Sequence, residues 1–300
     1  MNPFDPKVLA RLKNLALRAR FVVDGVMVGI HPSLALGFSS EFEGHREYAQ
    51  GEDIRHVDWK VYGKFDRYFI KEYKETTNLR AHVVLDASAS MGYGSDGWSK
   101  FDYASTLTAS LTYLLLKQKD AVALVTFSDK IDNIVPPKAT EGHFFAILQM
   151  LQEKRPTGRT SAGVILQDLA ASVTRKGLVI LISDLLDGPD QVLRGLKQLR
   201  SRGHDVMVFQ VLDHDELEFP FDRPTLFLDM EEELKVRTDP RAVRQAYLQT
   251  LAGLIDRYKE GCAGNLIDYS LFDTSAGLDL PLVRFLTWRT RLRSRPGDIA

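Results

Sequence analysis

The sequence predicts an α/β fold with a doubly wound, mainly parallel sheet, preceded by an N-terminal helix and a β-rich segment. Three observations carry the expectation. From residue 81 onward, short apolar runs alternate with longer stretches of helical periodicity. The runs "AHVVLD", "AVALVTF", "GLVILISD" and "HDVMVFQVL" are nearly continuous in apolar residues, as strands covered on both faces must be. The stretches between them are long enough for right-handed crossover helices.

In chain order, residues 6–22 have Val8, Leu12 and Leu15 at helical spacing, with Lys7, Arg11, Lys13, Arg18 and Arg20 on the other side. A basic face of this kind suits either a packed, solvated helix or an amphipathic helix on a membrane or partner. Residues 31–80 are dense in charge and aromatics, with Gly44, Gly51 and Gly63 as turn points, and read as short strands that cover one face of the main domain. Within them "HREYAQGEDIRHVDW" is either a partner-binding surface or, the favoured reading, an ion-pair network of Arg46, Asp53, Arg55 and Asp58 anchored by Trp59.

The α/β pattern follows. "KFDYASTLTASLTYLLLKQ" is a helix with Ala104, Leu107, Leu111 and Leu114 on one side. "KIDNIVPP" is a strand that its prolines confine to an edge. "GHFFAILQMLQEK" and "TSAGVILQDLAASVTRK" are helices, the second capped by Thr160 or Ser161. "DQVLRGLKQLRSRG" turns Leu193, Leu196 and Leu199 inward and stops at Gly203. Beyond residue 212 the same domain is expected to continue, with a strand in "PTLFLD", a helix from Asp239 and Pro240, a strand in "LIDYSLF" and a last helix ending in basic residues. The chain thus divides into 1–30, 31–80 and 81–300.

Composition removes several classes. With 39 Lys+Arg against 40 Asp+Glu, a nucleic-acid footprint is not expected. The single cysteine, Cys262, excludes an internal disulfide and a cysteine-based zinc site. No apolar run reaches the roughly 18 residues of a membrane span, so the chain reads as cytoplasmic with no transmembrane anchor. The histidines show no metal-ligand spacing, and neither a phosphate-binding G-x-x-x-x-G-K-[ST] loop nor a G-x-S-x-G nucleophile elbow occurs.

Oxygen ligands gather where strands end. Asp86, Ser88 and Ser90 stand at every second position after the first strand of the α/β region, Thr160 opens a helix in "TGRTSAG", and Asp184 closes "GLVILISD". In open α/β sheets ligands bind outside the carboxyl ends of the strands. Hydroxyls with two carboxylates suit a hard cation such as Mg²⁺ or Mn²⁺, which takes oxygen ligands and keeps several waters. A cation held so weakly stays electrophilic, and accepts a carboxylate from a protein partner as its last ligand.

This set resembles the metal-ion-dependent adhesion site of von Willebrand factor A domains. By that resemblance Ser88, Ser90 and Thr160 are the hydroxyl ligands, with Asp86 and Asp184 the acidic ones. The preceding stretch, with Arg46, Tyr48, Gly51, Asp53, Arg55, Asp58, Trp59 and the Lys71–Glu72 pair ahead of "VVLDASASM", is similar to the bacterial domain-of-unknown-function family fifty-eight. Members commonly occur beside MoxR-type AAA+ ATPases. The resemblance therefore implies a non-enzymatic, metal-dependent interaction module working with such an ATPase in assembly or maturation of a client. The alternative is a metal-dependent phosphoryl-transfer hydrolase with Asp86 as nucleophile. It lacks an acid two positions on, where Ser88 stands.

Overall fold

The computed structural model of the protein describes residues 9–12, 14–29, 42–47, 68–73, 79–95, 97–231 and 235–293. Its centre is a sheet of six described strands: β3 (Arg80–Asp86), β4 (Ala121–Phe127), β5 (Ile131–Lys138), β6 (Leu178–Ser183), β7 (Asp205–Leu212) and β10 (Asp268–Asp273). Their spatial order is β10-β7-β6-β3-β4-β5. All neighbours are parallel except β5, which runs antiparallel to β4 at the edge, where Pro136 and Pro137 remove no interior ladder bond.

Successive residues of each strand feed opposite cores. Val83, Leu85, Ile180 and Ile182 join one face with α1 (Leu15–Gly29), α2 (Lys100–Lys117), α3 (Glu141–Glu153) and α8 (Asp279–Arg293). Val84, Val179 and Leu181 join the other with α4 (Ala162–Ser172), α5 (Pro189–Ser201) and α7 (Pro240–Ala263). This is why those strands read as unbroken apolar runs.

Within the stretch read as one helix, Leu9 is helical, a turn follows, and α1 begins at Leu15. Asn14 accepts hydrogen bonds from the amides of Ala16 (2.9 Å) and Leu17 (3.2 Å), capping the helix at residue 15. Residues 1–8 lie outside the described set. Ala19, Val22, Val23 and Val26 pack into the core alongside α2. Arg18 lies over Trp98 and Arg20 over Tyr113, so these basic side chains rest on the aromatics of the main domain. With α1 on its outer side, α2 is buried almost all round. Its buried Thr106, Ser110 and Thr112 hydroxyls each donate to the carbonyl four residues back, at 2.8–2.9 Å.

One expectation after residue 212 is corrected. "TLFL" is a strand, β8 (Thr225–Leu228), but it pairs only with β9 (Lys235–Thr238) in a separate antiparallel ribbon. The next place in the main sheet, beside β7, is taken by β10 along its whole length. The alternating burial of β8 also suits a half-exposed ribbon rather than a strand buried on both faces. A short helix, α6 (His214–Glu218), is opened by an unanticipated capping box of Asp213 and Glu216.

In residues 31–80, β1 (Phe42–Glu47) and β2 (Phe69–Tyr73) form an antiparallel pair, as the alternation predicts. The expected network partners Asp53, Arg55, Asp58 and Trp59 lie outside the described residues. Among the described residues no helix is long and apolar enough to cross a membrane.

The chain leaves β3 through α2 toward β4, and leaves β6 through α5 toward β7, in opposite directions. The carboxyl ends of β3 and β6 therefore flank the switch point of the sheet, where a crevice opens.

Candidate functional site at the switch point

Asp86 ends β3 and its side chain is fully buried. Its Oδ1 accepts from the Ser88 amide (2.9 Å), and its Oδ2 accepts from the Ser183 hydroxyl (2.6 Å) and from Thr160 Oγ1 (3.4 Å). Ser88 and Ser90 share a hydrogen bond between hydroxyls at 3.0 Å. The chain between them turns as one 3₁₀ segment, Ala89–Gly92, which sets both hydroxyls on one side.

Thr160 arrives because its loop is laced to the loop after β3. The Thr157 amide donates to the Ala87 carbonyl, and the Ala89 amide to the Gly158 carbonyl, both at 2.9 Å. Gly158 makes the turn between them at φ +80°, which a side chain would strain. The expected cap of α4 is not made. Ser161 sits at the N-cap without a side-chain bond, and the Thr160 hydroxyl points to Asp86 instead. Behind this loop α4 and α5 nearly touch: a Cβ on Gly163 would stand 2.5 Å from Cβ of Gln191.

Asp184 follows β6 and is also fully buried. The structure places it near enough to Asp86 to raise that acid electrostatically, but gives it a different partner. Its Oδ2 accepts from Lys100 Nζ at 2.8 Å, and the same ammonium donates to Glu216 Oε1 at 2.7 Å. The Asp184 carbonyl accepts from Gln210 Nε2 at 2.8 Å. The chain then turns away through Leu185, whose φ of +54° is unusual for a bulky residue. Its side chain is buried and its amide donates to Ser183 Oγ, which hold that conformation in place.

The electrostatics separate the two acids. Burial, then the charge of Asp184, push the Asp86 carboxyl up to about 7, against the bonds from Ser183 and Ser88. Among the described residues no basic side chain lies within ion-pair distance of Asp86. Lys100 is nearly as deeply buried, which alone would lower it, yet Asp184 and Glu216 hold it above its ordinary value. Burial also raises Glu216, and Lys100 draws it back.

The structure thus brings Asp86, Ser88, Ser90 and Thr160 into one hydrogen-bonded set, with Asp184 beside it and already paired. Ser90 and Thr160 are half-buried, whereas Asp86, Ser88 and Asp184 are buried, so the open side of the site is the hydroxyl side. Sequence reasoning missed Ser183, Lys100 and Glu216. Lys100 carried a local signal: it is the first residue of α2, where the helix dipole disfavours a cation. Ser183 precedes Asp184 inside an apolar run and had none.

Among the described residues no group of three or more His, Cys, Asp or Glu is arranged to hold a metal ion. A cation at this place would rest on hydroxyls plus Asp86, and the donors fit that role: four oxygen-bearing side chains converge around a buried carboxylate with no basic partner.

Relatives place the chain further. It is 28% identical over 295 residues to an uncharacterized protein of Mycobacterium tuberculosis, covering 96% of this chain and 91% of that one. In fold it is similar to BatB from Bacteroides thetaiotaomicron, with a TM-score of 0.50 at 13% identity, covering 71% of this chain and 99% of that one. A likeness also exists to the von Willebrand factor domain of the type V pili tip protein Mfa5 from Porphyromonas gingivalis, with a TM-score of 0.39 at 11% identity, covering 75% and 99% of the two chains. The architecture is a doubly wound, mainly parallel α/β sheet, as the sequence predicts. One family's sequence model matches residues 44–253, more than two thirds of the length, and the chain belongs to that family, described as "Protein of unknown function DUF58".

Proposed function

We propose that the chain is a protein-interaction module whose contact point is a divalent cation, Mg²⁺ or Mn²⁺, at the carboxyl ends of β3 and β6. Ser88, Ser90 and Thr160 would supply neutral oxygens, Asp86 the direct countercharge, and Asp184 a second acid. The observation that carries the reading is Asp86: a fully buried carboxylate, wrapped in hydroxyl and amide donors, with no basic side chain of the described residues to neutralise it. Burying an unpaired carboxylate costs several kcal/mol, and a cation would relieve that cost.

The pairing of Asp184 with Lys100 favours an electrophilic centre. Lys100 answers the charge of Asp184, so one carboxylate, Asp86, faces a dication. When bound, the metal supplies a residual positive charge that attracts an anionic group on a partner. The chain's own part is to orient Ser88 and Ser90 through the 3₁₀ turn and to hold Thr160 through its laced loop. The resemblance to family members found beside MoxR-type AAA+ ATPases makes such an assembly, in the cytoplasm, the proposed partner. Phosphoryl transfer by Asp86 is the weaker reading. The carboxylate that would have to attack is fully buried, and Ser88, not an acid, stands two positions on.

Isothermal titration tests the metal. Wild type is expected to bind Mn²⁺, and Asp86→Ala and Ser88→Ala to lose at least tenfold in affinity, the scale of removing one direct ligand or its support. Equal binding by all three proteins would remove the site. A pull-down from the native host with and without EDTA then identifies a metal-dependent partner.

A further inference from the structure

Among the described residues, the β8–β9 ribbon adds no side chain to either core. Each strand is four residues long; β8 is half exposed and β9 mostly exposed. Such a ribbon is marginal alone, and two anchors hold it. At its base, Phe227 packs with Phe219 and Phe221, and Phe219 in turn with Tyr247 of α7. At its tip, residues after β8 reach the switch-point site itself. Met230 Cε lies 3.3 Å from where a Cβ on Gly92 would be, on the turn that carries Ser90. Glu231 Oε2 accepts from the Thr160 amide at 3.0 Å. The Glu231 amide donates to Asp229 Oδ1 at 2.7 Å, a local turn that aims the side chain inward.

From this juxtaposition we infer that Glu231 is the chain's own stand-in for the partner's carboxylate, so that the ribbon tip competes with the partner for the site. The inference rests on the reading of the site as a cation-dependent contact point. The open side of the site is formed by Ser90 and Thr160, and the tip covers both: Met230 packs on the loop of the first, and Glu231 bonds the backbone of the second. A partner carboxylate approaching between those residues meets a carboxylate already there. Among the described residues, displacing the tip breaks the bond from the Thr160 amide to Glu231 and uncovers Met230, which is already about half exposed at 47%.

The test uses Mn²⁺ and acetate as probes, on the full chain. Wild type, Glu231→Gln and the remote control Glu260→Gln are compared by isothermal titration and by water-proton relaxation of bound Mn²⁺. Glu231→Gln is expected to weaken Mn²⁺ binding about three- to tenfold, the scale of losing one exposed charge interaction. It should also raise the relaxation enhancement. Millimolar acetate should reverse both changes in Glu231→Gln and leave wild type and the control unmoved. Without metal, hydrogen exchange at the Thr160 amide should be faster in Glu231→Gln than in the other two. If acetate acts equally on wild type and Glu231→Gln while all bind Mn²⁺, the competitor is overturned and the cation site stands. If wild type binds no Mn²⁺, the site reading falls and the competitor with it.

Discussion

Asp86 and Asp184 leave adjacent parallel strands, and both are fully buried. One is surrounded by hydroxyls and an amide, the other by the ammonium of Lys100. The same residue type at equivalent strand ends thus has opposite electrostatic standing. The Asp184 end is complete within the protein. The Asp86 end has no basic partner among the described residues. Identity and position of a carboxylate do not tell a structural ion pair from a binding site; the neighbour across the fold does.

The largest break in this comparison is Lys100→Met. It strands the buried Asp184 and the largely buried Glu216 without their shared cation, and is expected to destabilise the fold by about 3–5 kcal/mol, read by chemical denaturation. Adding Asp184→Asn and Glu216→Gln to the same chain removes the stranded charges and should recover much of that loss. If Lys100→Met alone unfolds at the wild-type midpoint, the pairing has been misassigned.

Next in size is a pH effect that isolates Asp86. Its folded carboxyl sits near 7 and its unfolded value near 3.8, so without metal the fold takes up protons and loses stability as pH rises from about 4 to 7. Earlier in the same strand, His82 runs the other way. Burial, then His204 and Arg80, lower it from 6.5 to about 4, so the fold loses stability as pH falls from about 6.5 to 4. The two slopes oppose each other at about 1.4 kcal/mol per pH unit. Metal-free wild type should therefore change less with pH between 4.5 and 6.5 than a variant lacking either group. Asp86→Asn should become acid-sensitive over that span and His82→Gln base-sensitive, each by roughly 2 kcal/mol. Denaturant midpoints measured at closely spaced pH values decide it, and parallel profiles for the two variants would contradict the assignment.

The smallest effect sharpens the division between stability and binding. Ser90 is half-buried and bonds only to Ser88 within the set. Ser90→Ala should change stability by under about 1 kcal/mol while weakening Mn²⁺ binding. A variant that loses stability but binds Mn²⁺ normally would make Ser90 a structural residue.

Much of the fold was legible because its signals are local. The apolar runs of β3, β4, β6 and β7 follow from burial on both faces, and Asp239 with Pro240 marks the start of α7. The errors arose where a pattern was short. "TLFL" satisfies strand chemistry in a ribbon as well as in a sheet, and Asn14 interrupts a periodicity that looked continuous. At the site, Asp86, Ser88 and Ser90 stood out because period-two spacing after a strand is a local feature, and Asp184 because it ends an apolar run. The partners that give these groups their character left little or no local trace. Lys100 meets Asp184 across 84 residues of chain, Ser183 meets Asp86 across 97, and Glu231 meets Thr160 across 71.

By itself, then, the sequence determined which strands are buried and which polar side chains stand at their ends. Strand periodicity and strand termination are written in neighbouring residues. Only the tertiary structure decided which acid is paired with Lys100, which one has no basic partner among the described residues, and which residues lie over Thr160. Those outcomes depend on burial and on charges within a few ångströms in space, and long-range pairing of that kind leaves no period in the chain.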